Sequence, residues 1–241
     1  MADNENKSQE ELKREFEEDL RNSQEEKNNV ITPSDEKIKE IDKSMEEEND
    51  LLEALSKLNK PIVLLLTNGR PLTIEKEVGL ANAVLETWIL GTTSGDAISD
   101  VLTGKYNPAG KLPMTFPRQV GQLPIYYAYK STGRPANAKV RYSSRFLDIP
   151  FTPLFPFGFG LSYTNFDYSN IKIDKETISN KDVLTVTVDV ENTGNYDGEE
   201  VVQLYIRDFV GSVTRPVREL KSFKKLNIKK GEKKTLVFKI N

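Results

Sequence analysis

The 241-residue chain contains no cysteine and no histidine. Without thiols there is neither a disulfide framework nor a thiolate metal site. Without imidazole, every mechanism resting on a histidine base is excluded, and so is the commonest nitrogen ligand for zinc or iron. Any chemistry must therefore run on carboxylates, lysines, tyrosines or hydroxyls. Long apolar runs are also missing: the longest, Ile62 to Leu66, falls far short of the roughly 20 residues a membrane-spanning helix needs. The first residues, MADNENKSQEE, lack a basic stretch followed by an apolar core, so no signal peptide is expected and the chain as written reads as soluble. Apolar residues make up 37% of the chain, low enough to suggest that part of it does not pack.

That part is the beginning. Residues 1–50 contain no glycine, one proline (Pro33) and one aromatic residue (Phe16), and carry 18 Asp and Glu against 8 Lys and Arg. Of chain totals of 37 and 34, this leaves 19 acids against 26 bases in the remainder. The bases are scattered and form no groove-reading motif, so nucleic acid is not expected as a partner. Two amphipathic helices are legible in the acidic part. Ser8 with Glu11 is spaced as a capping box ahead of Leu12, Phe16 and Leu20. Thr32, Pro33 and Asp35 open a second helix whose stripe is Ile38, Ile41, Met45, Leu52 and Leu55, closed by Asn59 and Pro61. A solvated helical lead-in and a partner-binding segment are both consistent with this pattern.

From Pro61 the texture changes. Ile62 to Leu66 has the length and continuous apolarity of a strand buried on both faces, and Thr67-Asn68-Gly69-Arg70-Pro71 follows as a turn, in which Arg70 is expected to tie down a neighbouring carboxylate. A second strand is expected over Ala83 to Ile89, with Trp88 in the core. Thr93 to Asp96 should cap a short helix to Leu102 that Gly104 ends. Strand, turn, strand and helix together define an α/β layer, with too few strands for a complete doubly wound sheet. Tyr106 to Phe159 is a long irregular connection rich in Pro, Gly and aromatics, of the kind that is either functional or a crossing between domains. Phe155 to Gly160 is expected to pack that crossing.

After Asn165 the period becomes two. Val186, Val188 and Val190 alternate with polar residues; Val202, Leu204 and Ile206 follow, then Leu236, Phe238 and Ile240 beyond the Lys230-Gly231-Glu232 turn. Four or five such strands indicate an antiparallel β-sandwich, short of the roughly seven strands of a complete one, so the last hairpin is expected to be missing.

Several segments are more specific than composition. They include Asn68-Gly69-Arg70-Pro71-Leu72, Leu85-Glu86-Thr87-Trp88, the run Gly95 to Gly104, and Tyr106-Asn107-Pro108-Ala109-Gly110-Lys111-Leu112-Pro113. Further on stand Val120 to Tyr127, Thr132-Gly133-Arg134-Pro135, Tyr142 to Asp148, and Leu154-Phe155-Pro156-Phe157-Gly158-Phe159-Gly160-Leu161-Ser162-Tyr163. This ordered set resembles the C-terminal part of glycoside hydrolase family 3 β-glucosidases of the periplasmic type. The resemblance implies an α/β fold joined to an all-β one. An acidic helical lead-in (1–59) precedes a partial α/β sandwich domain with its long connection (60–164), and an incomplete fibronectin type III-like domain follows (165–241).

In that family a TIM barrel precedes these domains, and hydrolysis with retention uses an Asp nucleophile from the barrel and a Glu acid/base from the sandwich domain. Residues 1–60 are too few for a barrel of about 250 residues, and the family's Lys-His pair has no counterpart here. At the location of the acid/base loop stands Ser44-Met45-Glu46-Glu47-Glu48, without glycine, so the role is not carried over to Glu46, Glu47 or Glu48. No catalytic residue, cofactor or metal is assigned. The resemblance implies a β-glucoside or oligosaccharide as ligand of the complete enzyme, a barrel-bearing chain as partner, and relatives that are often periplasmic or secreted. Tyr127, Arg134, Tyr142 and Arg145 are candidates for lining the sugar, because aromatic faces and guanidinium forks suit carbohydrates. An Arg and Tyr network holding the domains together is the alternative for the same residues. A non-catalytic carbohydrate- or protein-binding module and a truncated gene product remain open as further readings.

Overall fold

A computed structural model of the chain describes residues 50–240. The stripes from Leu12 to Leu20 and from Ile38 to Met45, and Glu46 to Glu48, lie outside these residues. The chain divides at Asn59 into two compact units. Of the first, a helical stretch 50–56 is described. It runs out in a turn in which the Leu58 N–H donates to the Leu55 carbonyl (3.0 Å), and Asn59 takes the left-handed φ of 52° that commonly ends a helix.

The second unit opens with β1 (Val63–Leu66), followed by α1 (Glu75–Leu80), β2 (Ala83–Glu86) and α2 (Ser94–Leu102). β1 and β2 pair in parallel, Val63 opposite Ala83 through Leu66 opposite Glu86. The expected burial on both faces is not met: Leu64 and Leu66 turn inward, while Val63 is 47% and Leu65 41% exposed. Continuous apolarity marks a doubly covered strand only when layers stand on both sides, and here alternate residues of β1 remain open.

β2 also ends earlier than its apolar pattern suggests. The Glu86 carboxylate accepts the N–H of Trp88 (2.8 Å), and Trp88 sits at φ 52°, which turns the chain out of the strand. Trp88 packs against Phe116, with ring centroids 6.0 Å apart. The turn at Asn68 is present, closed by its own amide donating to the Arg70 carbonyl (2.6 Å). Arg70 itself makes no ion pair among the described residues, so the carboxylate expected for it is not found. α2 starts after Thr93 as expected, although the Thr93 side chain makes no capping bond. Gly104, at φ 74°, ends the helix.

β3 (Phe166–Ile173), β4 (Leu184–Asn192), β5 (Gly198–Ile206), β6 (Glu219–Ile228) and β7 (Lys233–Ile240) form two sheets, ordered β3-β4-β7 and β5-β6, with every pairing antiparallel. The alternation in β4 is complete. Val186, Val188 and Val190 face inward with Val202, Ile228, Leu236 and Phe238 to form the core. Each such side chain contributes on the order of 1.5–3 kcal/mol by leaving water. Gly231, at φ 74°, makes the turn between β6 and β7.

Candidate functional site

The irregular connection is organised by two backbone meetings of its ends. The Leu112 N–H donates to the Phe159 carbonyl (2.8 Å), and the Gly158 N–H returns to the Leu112 carbonyl (2.7 Å). Phe116 bridges to Phe155 in the same way. The approach at Gly160 is so close that a Cβ there would lie 2.1 Å from the Gly110 carbonyl oxygen, which is why position 160 carries glycine. Around this crossing the aromatics gather: Phe116 edge-on to Phe155, and Phe155 stacked on Phe159 at 5.1 Å.

The same crossing fastens onto the sandwich. Lys111 reaches Glu200 on β5 (3.1 Å) and donates to the Gly160 carbonyl (2.9 Å). Glu200 also accepts the phenol O–H of Tyr168 on β3 (2.8 Å). Gln203 on β5 donates to the Gly158 carbonyl (3.0 Å), and Asn107 to the Asp197 carbonyl (3.0 Å). Burial, followed by the neighbouring Glu200, pushes the Tyr168 phenol well above its ordinary range.

The four candidate residues separate into two groups. Tyr127 stacks on Phe157 with centroids 4.3 Å apart, meets Tyr205 edge-on and lies against the backbone of β6. Arg134, Tyr142 and Arg145 share one loop. The Ser144 N–H donates to the Arg134 carbonyl (2.9 Å), and the Thr132 hydroxyl donates to Ser144 Oγ (3.2 Å), which pinches the loop at its base. Within it, Ser143 Oγ accepts the Asn137 N–H and donates to the carbonyls of Asn137 and Val140. The loop presents Tyr142, 73% exposed, with the Arg141 guanidinium 5.8 Å above its ring. Arg145 donates to the Phe146 carbonyl (3.3 Å), while its buried Nε has no acceptor among the described residues.

Two further orphaned atoms lie at the carboxyl ends of β1 and β2, the edge where open parallel sheets receive ligands. They are Asn68 Oδ1 and Glu86 Oε2, both buried and without a donor among the described residues. Burial pushes the Glu86 carboxyl above its ordinary value, against the pull of the Trp88 N–H and the Asn68 amide. Glu86 was not singled out by residue type or spacing; an acid closing an apolar strand was its only signal. No group of three or more Asp and Glu among the described residues is placed to hold a metal ion.

The described residues thus join an α/β layer to an antiparallel sandwich through an aromatic crossing. Residues 14–163 match the glycosyl hydrolase family 3 C-terminal domain, and residues 200–241 match the fibronectin type III-like domain. The chain belongs to the family of glycosyl hydrolase family 3 C-terminal domains. The match begins inside the acidic stretch that composition separates from the rest.

Among curated relatives, the chain is 48% identical over 196 residues to a periplasmic β-glucosidase of Salmonella typhimurium, covering 80% of this chain and 26% of that protein. It is 46% identical over the same length to a β-xylosidase of Formosa agariphila. A crystal structure of the β-glucosidase of Listeria innocua superimposes with a TM-score of 0.77 at 40% identity, over 81% of this chain and 27% of that one. The chain thus spans about a quarter of the length of the relatives it matches, and its partial α/β domain and fibronectin type III-like sandwich are the parts shared.

Proposed function

We propose that this chain serves as the supporting C-terminal region of a β-glucosidase-type glycoside hydrolase, and that hydrolysis needs a nucleophile from a barrel-bearing segment outside these 241 residues. The coverage carries the proposal: strong identity over most of this chain falls on only 26% of a β-glucosidase. Retaining hydrolysis requires two carboxylates about 5–5.5 Å apart, one attacking the anomeric carbon and one protonating the leaving oxygen. A polypeptide with one of them, or neither, catalyses little.

Within the complete enzyme, the pinched loop carrying Arg134, Tyr142 and Arg145 borders the leaving-group side of the cleft. Its exposed ring and its guanidinium groups suit sugar hydroxyls. Tyr127 stands apart from the loop at the crossing, where its ring is spent on Phe157 and Tyr205.

The test is a pair of assays on a chromogenic β-glucoside. The 241-residue chain alone is expected to give no turnover above buffer. A chimera with this chain in place of the corresponding quarter of the Salmonella β-glucosidase is expected to hydrolyse the glucoside. In that chimera, Arg134→Ala and Tyr142→Ala should lower kcat/KM on a disaccharide by about tenfold, the worth of one strong hydrogen bond or stacking contact. Turnover by the isolated chain would sink the claim of dependence. An active chimera indifferent to both substitutions would remove the loop from the cleft.

A further inference from the structure

The loop carrying Arg134, Tyr142 and Arg145 is tied shut at its base, but that tie fixes only its internal shape. Where the loop points depends on the two chain segments from which it hangs. The outgoing segment is held by the α/β part. Gln122 Nε2 donates to the Pro150 carbonyl (3.0 Å), Arg118 Nε to the Thr152 carbonyl (3.0 Å), and the Leu154 N–H to the Phe116 carbonyl (3.0 Å).

The incoming segment is held by the sandwich instead. In the connection 207–218 between β5 and β6, the Val217 N–H donates to the Tyr129 carbonyl (2.9 Å), and Pro216 pairs with Lys130 in an isolated antiparallel bridge. Thr132, which ties the loop to Ser144, follows directly. The bridge therefore grips the chain where the loop begins. A second grip lies just before it, at Tyr127, whose hydroxyl accepts the Leu220 N–H of β6 (3.5 Å) and whose ring meets Tyr205 edge-on. Gln203 and Tyr205 stand on the face of β5 opposite Val202 and Leu204, so this contact is made outside the apolar core. The Tyr205 hydroxyl donates to Gln203 Oε1, whose amide holds the Gly158 carbonyl. The connection is braced in its turn: Asp208 accepts the Val210 N–H (3.1 Å), and the Arg207 guanidinium lies 4.8 Å from the Phe209 ring.

We propose that the connection between β5 and β6 is a positioning element for the leaving-group side of the cleft. The Val217 N–H, with Tyr205 behind Tyr127, sets where the loop stands, so the fibronectin type III-like domain governs recognition of the second sugar without touching it. This inference rests on the reading that the loop borders the cleft, and adds that its place there is set from the sandwich. A loop hung from two parts of a molecule shifts when one attachment is cut, and a misplacement of about 1 Å is enough to forfeit contacts with a bound sugar.

Val217→Pro removes the donor of the bridge, whereas Val217→Ala keeps it. In the 241-residue chain, tryptic cutting after Lys139, Arg141 and Arg145, followed by mass spectrometry, should run about fivefold faster in Val217→Pro, the effect of one backbone hydrogen bond on a local opening. Val217→Ala should be cut at the original rate. Tyr205→Leu should also hasten the cutting, and it leaves the bridge and the core face of β5 intact. Thermal unfolding of each variant establishes that it is folded. In the chimera with the Salmonella enzyme, Val217→Pro should raise KM for a disaccharide about fivefold with kcat within about twofold, the split expected when binding is lost equally from ground and transition states. A merely destabilised enzyme would lose active molecules, and with them kcat. Unchanged cutting in both Val217→Pro and Tyr205→Leu overturns the proposal. So does an unchanged KM in Val217→Pro where Arg134→Ala raises it. Indifference to Arg134→Ala as well brings down the placement of the loop at the cleft, and this inference with it.

Discussion

Asn192 is fully buried at the end of β4 and satisfies four groups at once. Its Oδ1 accepts from the Thr164 hydroxyl (2.6 Å) and the Gly194 N–H (3.1 Å). Its Nδ2 donates to the carbonyls of Tyr196 (2.8 Å) and Ile228 (2.9 Å). A carboxamide offers two donors and two acceptor lone pairs in one plane, and asparagine carries it on the shortest side chain. Asn192→Ala strands all four partners and should cost about 3 kcal/mol in denaturant unfolding. Asn192→Asp keeps the shape but sets a carboxylate oxygen against two carbonyls, so it should not restore stability; recovery by Asp would refute this account. At this scale the sequence was only partly legible. Val186, Val188 and Val190 announced the core by alternation, but nothing local signals that the asparagine joins segments 28 and 36 residues away. Glu86 was hidden for a similar reason: its burial depends on what Asn68 and Trp88 do around it.

Among the elements, the contact that most depends on fold is Lys111 with Glu200 and Tyr168. The side chains of Lys111 and Glu200 are 15% and 10% exposed, and each bridges a different segment: the Asn-Pro-Ala-Gly-Lys loop, β5 and β3. Removing one charge from a buried pair leaves the other uncompensated, at a cost of about 3–5 kcal/mol. Lys111→Met should therefore destabilise by that order. The double substitution Lys111→Met with Glu200→Leu should recover much of the loss, and a double-mutant cycle in urea would measure the coupling. Additive losses would mean that the two side chains do not act together. Elements with a clean period were legible beforehand: β4, β5, β7 and α2. β6 and α1 were not. The sequence of β6, ELKSFKKLNI, buries few of its residues and carries three lysines, so its period-two signal is weak. α1 is a six-residue helix with a glycine inside it, below the length at which propensity declares itself.

For the molecule as a whole, the absence of histidine fixes the shape of stability against pH. No side chain has an ordinary pKa between the carboxylates and the alkaline range, so stability should be flat from about pH 6 to 9. On the acid side, Asp174, Asp182, Asp189, Glu219 and Glu232 are all held below their ordinary values, chiefly by hydrogen bonds from Thr185, Ser179, Thr235, Lys221 and the Lys229 N–H. A depressed carboxyl contributes stability above its unfolded pKa, about 4, and that contribution fades as pH falls through this value and below. All five are exposed to solvent, so many small losses should add to a gradual decline rather than one sharp step. On the alkaline side the sign reverses. Tyr168 and Tyr205 are raised, first by burial, so their neutral forms belong to the folded state. Their contribution is complete below the unfolded pKa of about 10 and drains away above it, because the unfolded chain gives up its phenolic protons first. The midpoint of thermal unfolding should thus hold constant over the plateau, fall below about pH 4.5 and fall again above about pH 10. Tyr168→Phe should lower the whole curve, since Glu200 loses its phenol donor, while flattening the alkaline limb. An alkaline limb equally steep in that variant would show that the buried phenol does not govern it.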